Sequence, residues 1–406
     1  MADEIETLKQ LQAGLNASFE AIFSTIENDP TNLKAIAAAK EQLVGLSNAT
    51  IGTALGPAYS LMALSATPAN LMAIRVAIDL KLFEIIASKQ SPTTLSELEQ
   101  KSKADPVLIK RIIRMVCATG FVKQVDASSW KATPMTHALN VTALRDWMVA
   151  HFDKRMEIWG RTPAWLKKHD YKTSWASDED NIAFEVYGSN IWDFLDRNPE
   201  DSVIFDSAMS IQEQFPPEML PPYPMFESAA GVNVEVDGVT LVDVGGGAGQ
   251  AIGNIKKTYP NIPGRFILQD LPKSIESLAS GRAGELGFEP MVHNFFEQQP
   301  IKGAKYYHLR RVLHDWNDES CLKILEPTKA AMDPKYSRLL IHDFVLPDVN
   351  CGPLEASVDL IMMTTCDGKE RTEGDWHELL GRAGFRIEKI HRAEVGTVAV
   401  IEAIVA

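Results

Sequence analysis

His314 stands in the run Arg310-Arg311-Val312-Leu313-His314-Asp315-Trp316-Asn317-Asp318-Glu319, between a strand pattern and a helix that Asp318 can cap. A histidine on a strand-to-helix turn can be half solvated and titrate near neutrality. That suits a base that takes the proton of a phenol or enol hydroxyl. Two acids further along can accept from the second ring N–H, fixing the tautomer and stabilising an imidazolium: Asp343, closing LLIHD, and Glu370, in DGKERT. Each also has a local reading, Asp343 as a loop cap and Glu370 as a salt bridge or cap near Thr372. A turn histidine is often only structural; the place of His314 at the ligand edge of a sheet favours chemistry.

A second cluster suits a nucleoside. Residues 241–250 read LVDVGGGAGQ, with Asp243 two residues ahead of the alternating glycines Gly245, Gly247 and Gly249. Glycine lets the backbone approach a ligand closely. Asp270 ends the next apolar run, in FILQDLP, where its two oxygens can accept from two ribose hydroxyls. A dinucleotide fingerprint needs glycine at position 250, which holds Gln250, and no Walker loop is present. What remains is the glycine loop typical of S-adenosylmethionine (SAM) enzymes.

These residues need a sheet to position them, and the chain beyond residue 238 provides its pattern. Strands are expected at 239–244, 265–269, 288–293, 304–312, 338–343, 385–391 and 397–405, with helical crossovers between most of them. Such alternation predicts an α/β fold with a parallel sheet wound on both faces. Glu394-Val395-Gly396 is too short for a crossover, so the last two strands should pair antiparallel at one edge. Ligands in such sheets lie at the carboxyl ends of strands, where Asp243, Asp270, Asn294, His314 and Asp343 all fall.

Upstream, residues 1–65 carry helical spacing at Ile5, Leu8, Leu11, Leu15, Phe19, Ile22 and Ile26, ended by Asn28-Asp29-Pro30. That apolar face packs on its own chain or on a partner subunit. Residues 66–140 read as a winged helix: a helix from Pro68 to Ala87, a start at Thr94, a third helix opened by Asp105-Pro106, then short strands at Gly120-Phe121-Val122 and Trp130-Lys131-Ala132. Residues 141–237 are helical and rich in rings, among them Trp147, Trp159, Trp165, Trp175, Trp192, Phe194 and Phe205. They close on the proline clusters Phe215-Pro216-Pro217 and Pro221-Pro222-Tyr223-Pro224. Most of these rings are core, and some can line a pocket for a flat ligand. Residues 238–406 complete the chain as the cofactor domain.

With 406 residues, 45% hydrophobic and 23% charged, more than one core is expected. A net charge of -14 disfavours nucleic acid and anionic membranes as partners. Cys117, Cys321, Cys351 and Cys366 form no C-x-x-C pair, so reduced thiols in a cytoplasmic protein are expected, with no metal. MADEIETLKQ is unlike a signal peptide, and no run of 18 apolar residues suggests a membrane span.

Taken together, GGGAG, LQDLP, LRRVLHDWNDESC, LLIHDFVLPD and GKERT make the chain resemble the plant-type O-methyltransferases, especially their fungal secondary-metabolism relatives, over residues 65–405. The resemblance implies a Rossmann-like class I methyltransferase domain behind a winged-helix dimerisation domain, a homodimer, and SAM as methyl donor to a small aromatic or polyketide-type hydroxyl. His314 matches the family's base, and Asp343 and Glu370 its flanking acids. Cofactor contacts would fall on Asp243, Gly245, Gly247, Asp270, Leu271, Asn294, Phe295 and Arg310. Substrate contacts would fall on Trp192, Phe205, Met209, Asp315, Met362 and Cys366. Three departures stand out: Asn294 replaces the usual aspartate facing the adenine amino group, Asp343 stands where relatives often carry the longer glutamate, and Pro327 interrupts the helix after HDWNDE, where a kink is expected. Some relatives of this fold keep SAM as a fixed positive charge and catalyse dehydration or pericyclic closure. Their base position is expected to hold a cation, so His314 favours methylation. A winged-helix regulator that senses SAM is a third reading, tested by duplex binding.

Overall fold

In the computed structural model, residues 2–172, 181–215, 219–227, 234, 238–276, 278 and 287–406 are described; Trp175, Pro216 and Pro217 lie outside them. The chain packs as two compact units, Met1–Arg161 with Trp192–Phe215, and Thr162–Ile191 with Pro216–Ala406. The ring-rich helices of 141–237 therefore contribute to both.

The first unit opens with helices Ala2–Asn28 and Leu33–Ser65, which pack on each other. Asn32 caps the second, and Gly56, at φ 69 before Pro57, breaks it. The winged module follows. The helix expected over Pro68–Ala87 is two, Thr67–Asp79 and Leu82–Ala87. Lys81, left-handed at φ 53, makes the break without a glycine or proline to announce it. Thr94 and Glu97 form a reciprocal capping box, and Asp105 accepts from two amides to start Pro106–Ala118. Strands β1 (Thr93–Thr94), β2 (Val122–Asp126) and β3 (Ser129–Ala132) pair antiparallel in the order β1-β3-β2. Ile74, Phe83, Leu98, Ile109, Ile113 and Trp130 form the module's core.

In the second unit all seven expected strands form: β4 (Val239–Val244), β5 (Arg265–Asp270), β6 (Glu289–Val292), β7 (Tyr306–Arg310), β8 (Arg338–Phe344), β9 (Phe385–Arg392) and β10 (Val398–Val405). Their order is β6-β5-β4-β7-β8-β10-β9. The first five are parallel, and β10 runs antiparallel to β9, as the short turn between them requires, and antiparallel to β8 on its other side. Successive residues of each inner strand point to opposite faces, and both faces are covered. Val242, Leu309, Ile341 and Ala399 pack with Trp376 and Leu380 on one side; Leu241, Phe266, Leu340 and Val400 pack with Ile252 and Ile255 on the other. Strand order reverses between β4 and β7, opening a crevice at their carboxyl ends. No single helix among the described residues is long and apolar enough to cross a membrane.

Candidate active site

Past the end of β7, Arg311 takes a left-handed conformation at φ 55 and stacks over the Phe344 ring, 3.6 Å from its centroid. The chain then makes the short turn Leu313–Asp315. Asn317, not Asp318, caps the following helix by accepting from the Ser320 amide at 2.9 Å. Asp318 is engaged elsewhere: it accepts from the Arg371 guanidinium at 2.7 Å. Arg371 is wholly buried and also donates to the carbonyls of Leu313, Trp316 and Lys369. One guanidinium thus ties the histidine turn to the GKERT segment. The helix continues past Pro327 to Ala331.

His314 is only 9% exposed, less solvated than its turn position suggested. Its Nδ1 lies 2.7 Å from Oε1 of the buried Glu370, a hydrogen bond that leaves Nε2 as the other nitrogen. Asp343 Oδ1 is 3.8 Å from Nδ1, an ion-pair distance outside hydrogen-bond reach. The expected shared orientation is therefore corrected: Glu370 orients the ring, and Asp343 adds charge while its Oδ1 accepts from the Phe344 amide at 3.0 Å. Asp315 Oδ1 is 3.5 Å from Nε2 and accepts a long bond from Cys366 Sγ at 3.7 Å. Burial pulls the His314 pKa down, but the charges of Asp343, Glu370 and Asp315 outweigh it and raise the imidazole to about 9. Burial is the main cause holding Asp315 up to about 6, against the pull of His314.

The glycine loop follows β4. Gly245, Gly247 and Gly249 have φ of 69, 57 and 77, a region that favours glycine. A Cβ at Gly246 would fall 2.3 Å from Leu268 Cδ1 and 2.6 Å from Asp243 Oδ2, while Gly247 has open space around it. Asp270 accepts from the Gly247 amide at 2.8 Å and the Leu271 amide at 2.7 Å, so its carboxylate sits against the loop. Leu271 is exposed; Asn294 accepts from the Phe296 amide at 3.1 Å; Phe295 lies beside Gly245 and its ring meets Trp316 edge-on. An open cradle at Gly247 with a carboxylate beside it fits a nucleoside with two vicinal hydroxyls.

Asp243 is wholly buried: its Oδ1 accepts from His308 Nδ1 at 2.7 Å, while its Oδ2, on the Gly246 side, has no hydrogen-bond partner among the described residues. A buried chain continues from there. The Tyr223 hydroxyl lies 2.9 Å from His308 Nε2 and 2.6 Å from His342 Nδ1. Burial, then the charge of Arg310, keeps His342 well below its ordinary pKa, and burial keeps the Tyr223 phenol protonated. The phenol thus bridges the two imidazoles, and His308 Nδ1–H donates to the Asp243 carboxylate. Tyr223, His308, His342 and Arg371 escaped the sequence reading. Their partners lie up to 119 residues away; Arg371 in GKERT, His342 in LLIHD and Tyr223 in the proline cluster stood in quoted segments, but nothing in the sequence paired them.

Met362 and Cys366 lie on helix Pro353–Cys366 of this same unit. Trp192, Phe205 and Met209 belong to the other unit, where the Phe205 ring meets Trp192 edge-on at 6.2 Å.

Comparison with known proteins identifies the family. An O-methyltransferase domain model matches residues 170–386, and an O-methyltransferase dimerisation domain model matches residues 62–142. Demethylsterigmatocystin 6-O-methyltransferase of Aspergillus flavus is 33% identical over 80% of this chain and 83% of its own. O-methyltransferase desB of Aspergillus desertorum is 30% identical over 96% of this chain and 94% of its own. Among solved structures, LepI in complex with SAM (26% identity) and OxaC with SAH and oxaline (24%) both superpose with a TM-score of 0.84, covering 100% and 98% of this chain and 100% of each of theirs. A structure described as a pericyclic reaction enzyme, 26% identical, also superposes at 0.84, covering 97% of this chain and 100% of its own. The chain therefore belongs to the SAM-dependent O-methyltransferase family, among its fungal secondary-metabolism members.

Proposed function

We propose that this chain methylates a hydroxyl of a small aromatic or polyketide-type metabolite, with His314 as the general base. The carrying observation is the His314–Glu370 bond. It occupies Nδ1 and leaves Nε2 as the nitrogen that can receive the hydroxyl proton. Glu370 fixes the tautomer, and the charges of Glu370, Asp343 and Asp315 stabilise the imidazolium that proton transfer creates. Asp270 and the Gly245–Gly247 backbone would hold the nucleoside ribose and the chain beside it, with Asn294 near the adenine. When bound, SAM supplies the methyl group. The chain's remaining task is alignment of the hydroxyl with that group. The dimerisation-domain match supports a homodimer, and four free cysteines suit a reducing compartment such as the cytoplasm.

The test is incubation with SAM labelled in its methyl group and a panel of hydroxylated aromatics. Label in the product, with equimolar S-adenosylhomocysteine, is expected. The 26% identity to a pericyclic reaction enzyme favours a second reading, cyclisation or dehydration with SAM retained. A rearranged or dehydrated product without label, and without S-adenosylhomocysteine, would establish it and remove methyl transfer.

A further inference from the structure

Helix Thr142–Ala150 does not end where its hydrogen bonding changes; it runs into a π-turn over His151–Arg155, a widening rare enough that sites often explain it. Two ion pairs hold the turn. Arg75 meets Asp153 through two bonds of 2.8 Å, and Lys154 meets Asp201 at 2.9 Å while lying over the Phe194 ring. His151 is thereby fixed between two indoles, 4.3 Å from the Trp147 ring centroid and 6.4 Å from that of Trp159. Its Nδ1 lies 2.8 Å from the Trp147 carbonyl and 3.3 Å from Arg155 Nη1; the shorter contact, to an oxygen that can only accept, has Nδ1 carry the hydrogen and donate it. The Nε2 lone pair is then left bare, and no described residue bonds it. Burial, then the charge of Arg155, lowers the imidazole to about 4, so it stays unprotonated at neutral pH. Helix Thr142–Ala150 also packs on helix Pro199–Met209, which carries Phe205 and Met209. Aromatic walls with one fixed hydrogen-bond acceptor are the ingredients of a site for a flat hydroxylated ring.

We propose that His151 is a ligand-recognising residue of the first unit, whose Nε2 accepts a hydrogen bond from a hydroxyl of a flat aromatic ligand seated against Trp147 and Trp159. The ligand class rests on the proposed function, while every contact named lies within the first unit.

The experiment is equilibrium binding of 2,6-dihydroxyanthraquinone and of its dimethyl ether to the full chain with S-adenosylhomocysteine present. Wild type and His151→Phe are compared. The dihydroxy probe should bind the variant roughly 3- to 10-fold more weakly, the size of one net hydrogen bond, and the ether equally within about 2-fold. Equal loss of both probes would reveal a packing role only and overturn the proposal. So would an unchanged dihydroxy affinity, or no binding of either probe to the wild type. Should the variant melt as an unfolded chain, His151→Leu is read in the same way. Methyl transfer by the wild type is scored separately: transfer without the His151 effect overturns this proposal alone, and the His151 effect without transfer overturns the proposed reaction alone.

Discussion

Three carboxylates converge on one imidazole at the end of β7, and their charges set the pH at which it can act. A base held at about 9 is mostly protonated in neutral solution, so kcat/KM should climb with pH and level off only near 9. Glu370→Gln keeps the shape of the orienting side chain and removes one of those charges. It should move the acid limb of the profile to lower pH and reduce the plateau by roughly 10- to 100-fold, which a pH series on the purified variant will measure. An unmoved limb would mean that Glu370 does not bear on the titration. His314→Ala should lower kcat by roughly two to four orders of magnitude and leave S-adenosylhomocysteine affinity within about 3-fold. The same titration bears on stability. Because the folded pKa lies above the ordinary 6.5, the protonated imidazole stabilises the fold fully below about 6.5, and this is lost as pH rises through about 9. Urea melts at pH 6.5 and 9 should show a larger drop in wild type than in His314→Ala.

At the scale of elements, the glycine loop and the GKERT segment are held by contacts that tolerate little change. Gly246→Ala would drive a methyl group into Leu268 and Asp243, an overpacking that costs about 1–3 kcal/mol. A lower melting temperature with at least 10-fold weaker S-adenosylhomocysteine binding is expected by calorimetry. Arg371→Met leaves the Leu313 and Trp316 carbonyls and Asp318 without their shared donor. Destabilisation of roughly 3 kcal/mol is expected from chemical denaturation. Elements like these divide into legible and illegible parts for a physical reason. Most of the seven strands could be read because they are short apolar runs between breakers, and the His314 and Asp270 positions because each closes or follows such a run. The Lys81 break could not, since a lysine in a left-handed conformation is chosen by packing on both sides. Nor could the cap at Asn317, because Asp318 serves a guanidinium 53 residues away.

For the whole molecule, assembly is the property most open to measurement. Tyr59, Leu61, Met62 and Leu64 are 58–69% exposed where the second helix reaches the start of the dimerisation domain. Apolar side chains concentrated in this way mark surfaces that another protein covers. Sedimentation equilibrium at micromolar concentration should give twice the mass of the chain, and a monomer there would end the homodimer proposal. The Tyr223 hydroxyl offers a different reporter. Sealed between His308 and His342 in the core on one face of the sheet, its hydrogen can trade with solvent only when the packing opens at that point. A resolved downfield proton signal from this phenol would therefore act as a clock, its exchange rate counting how often that face of the sheet opens to water.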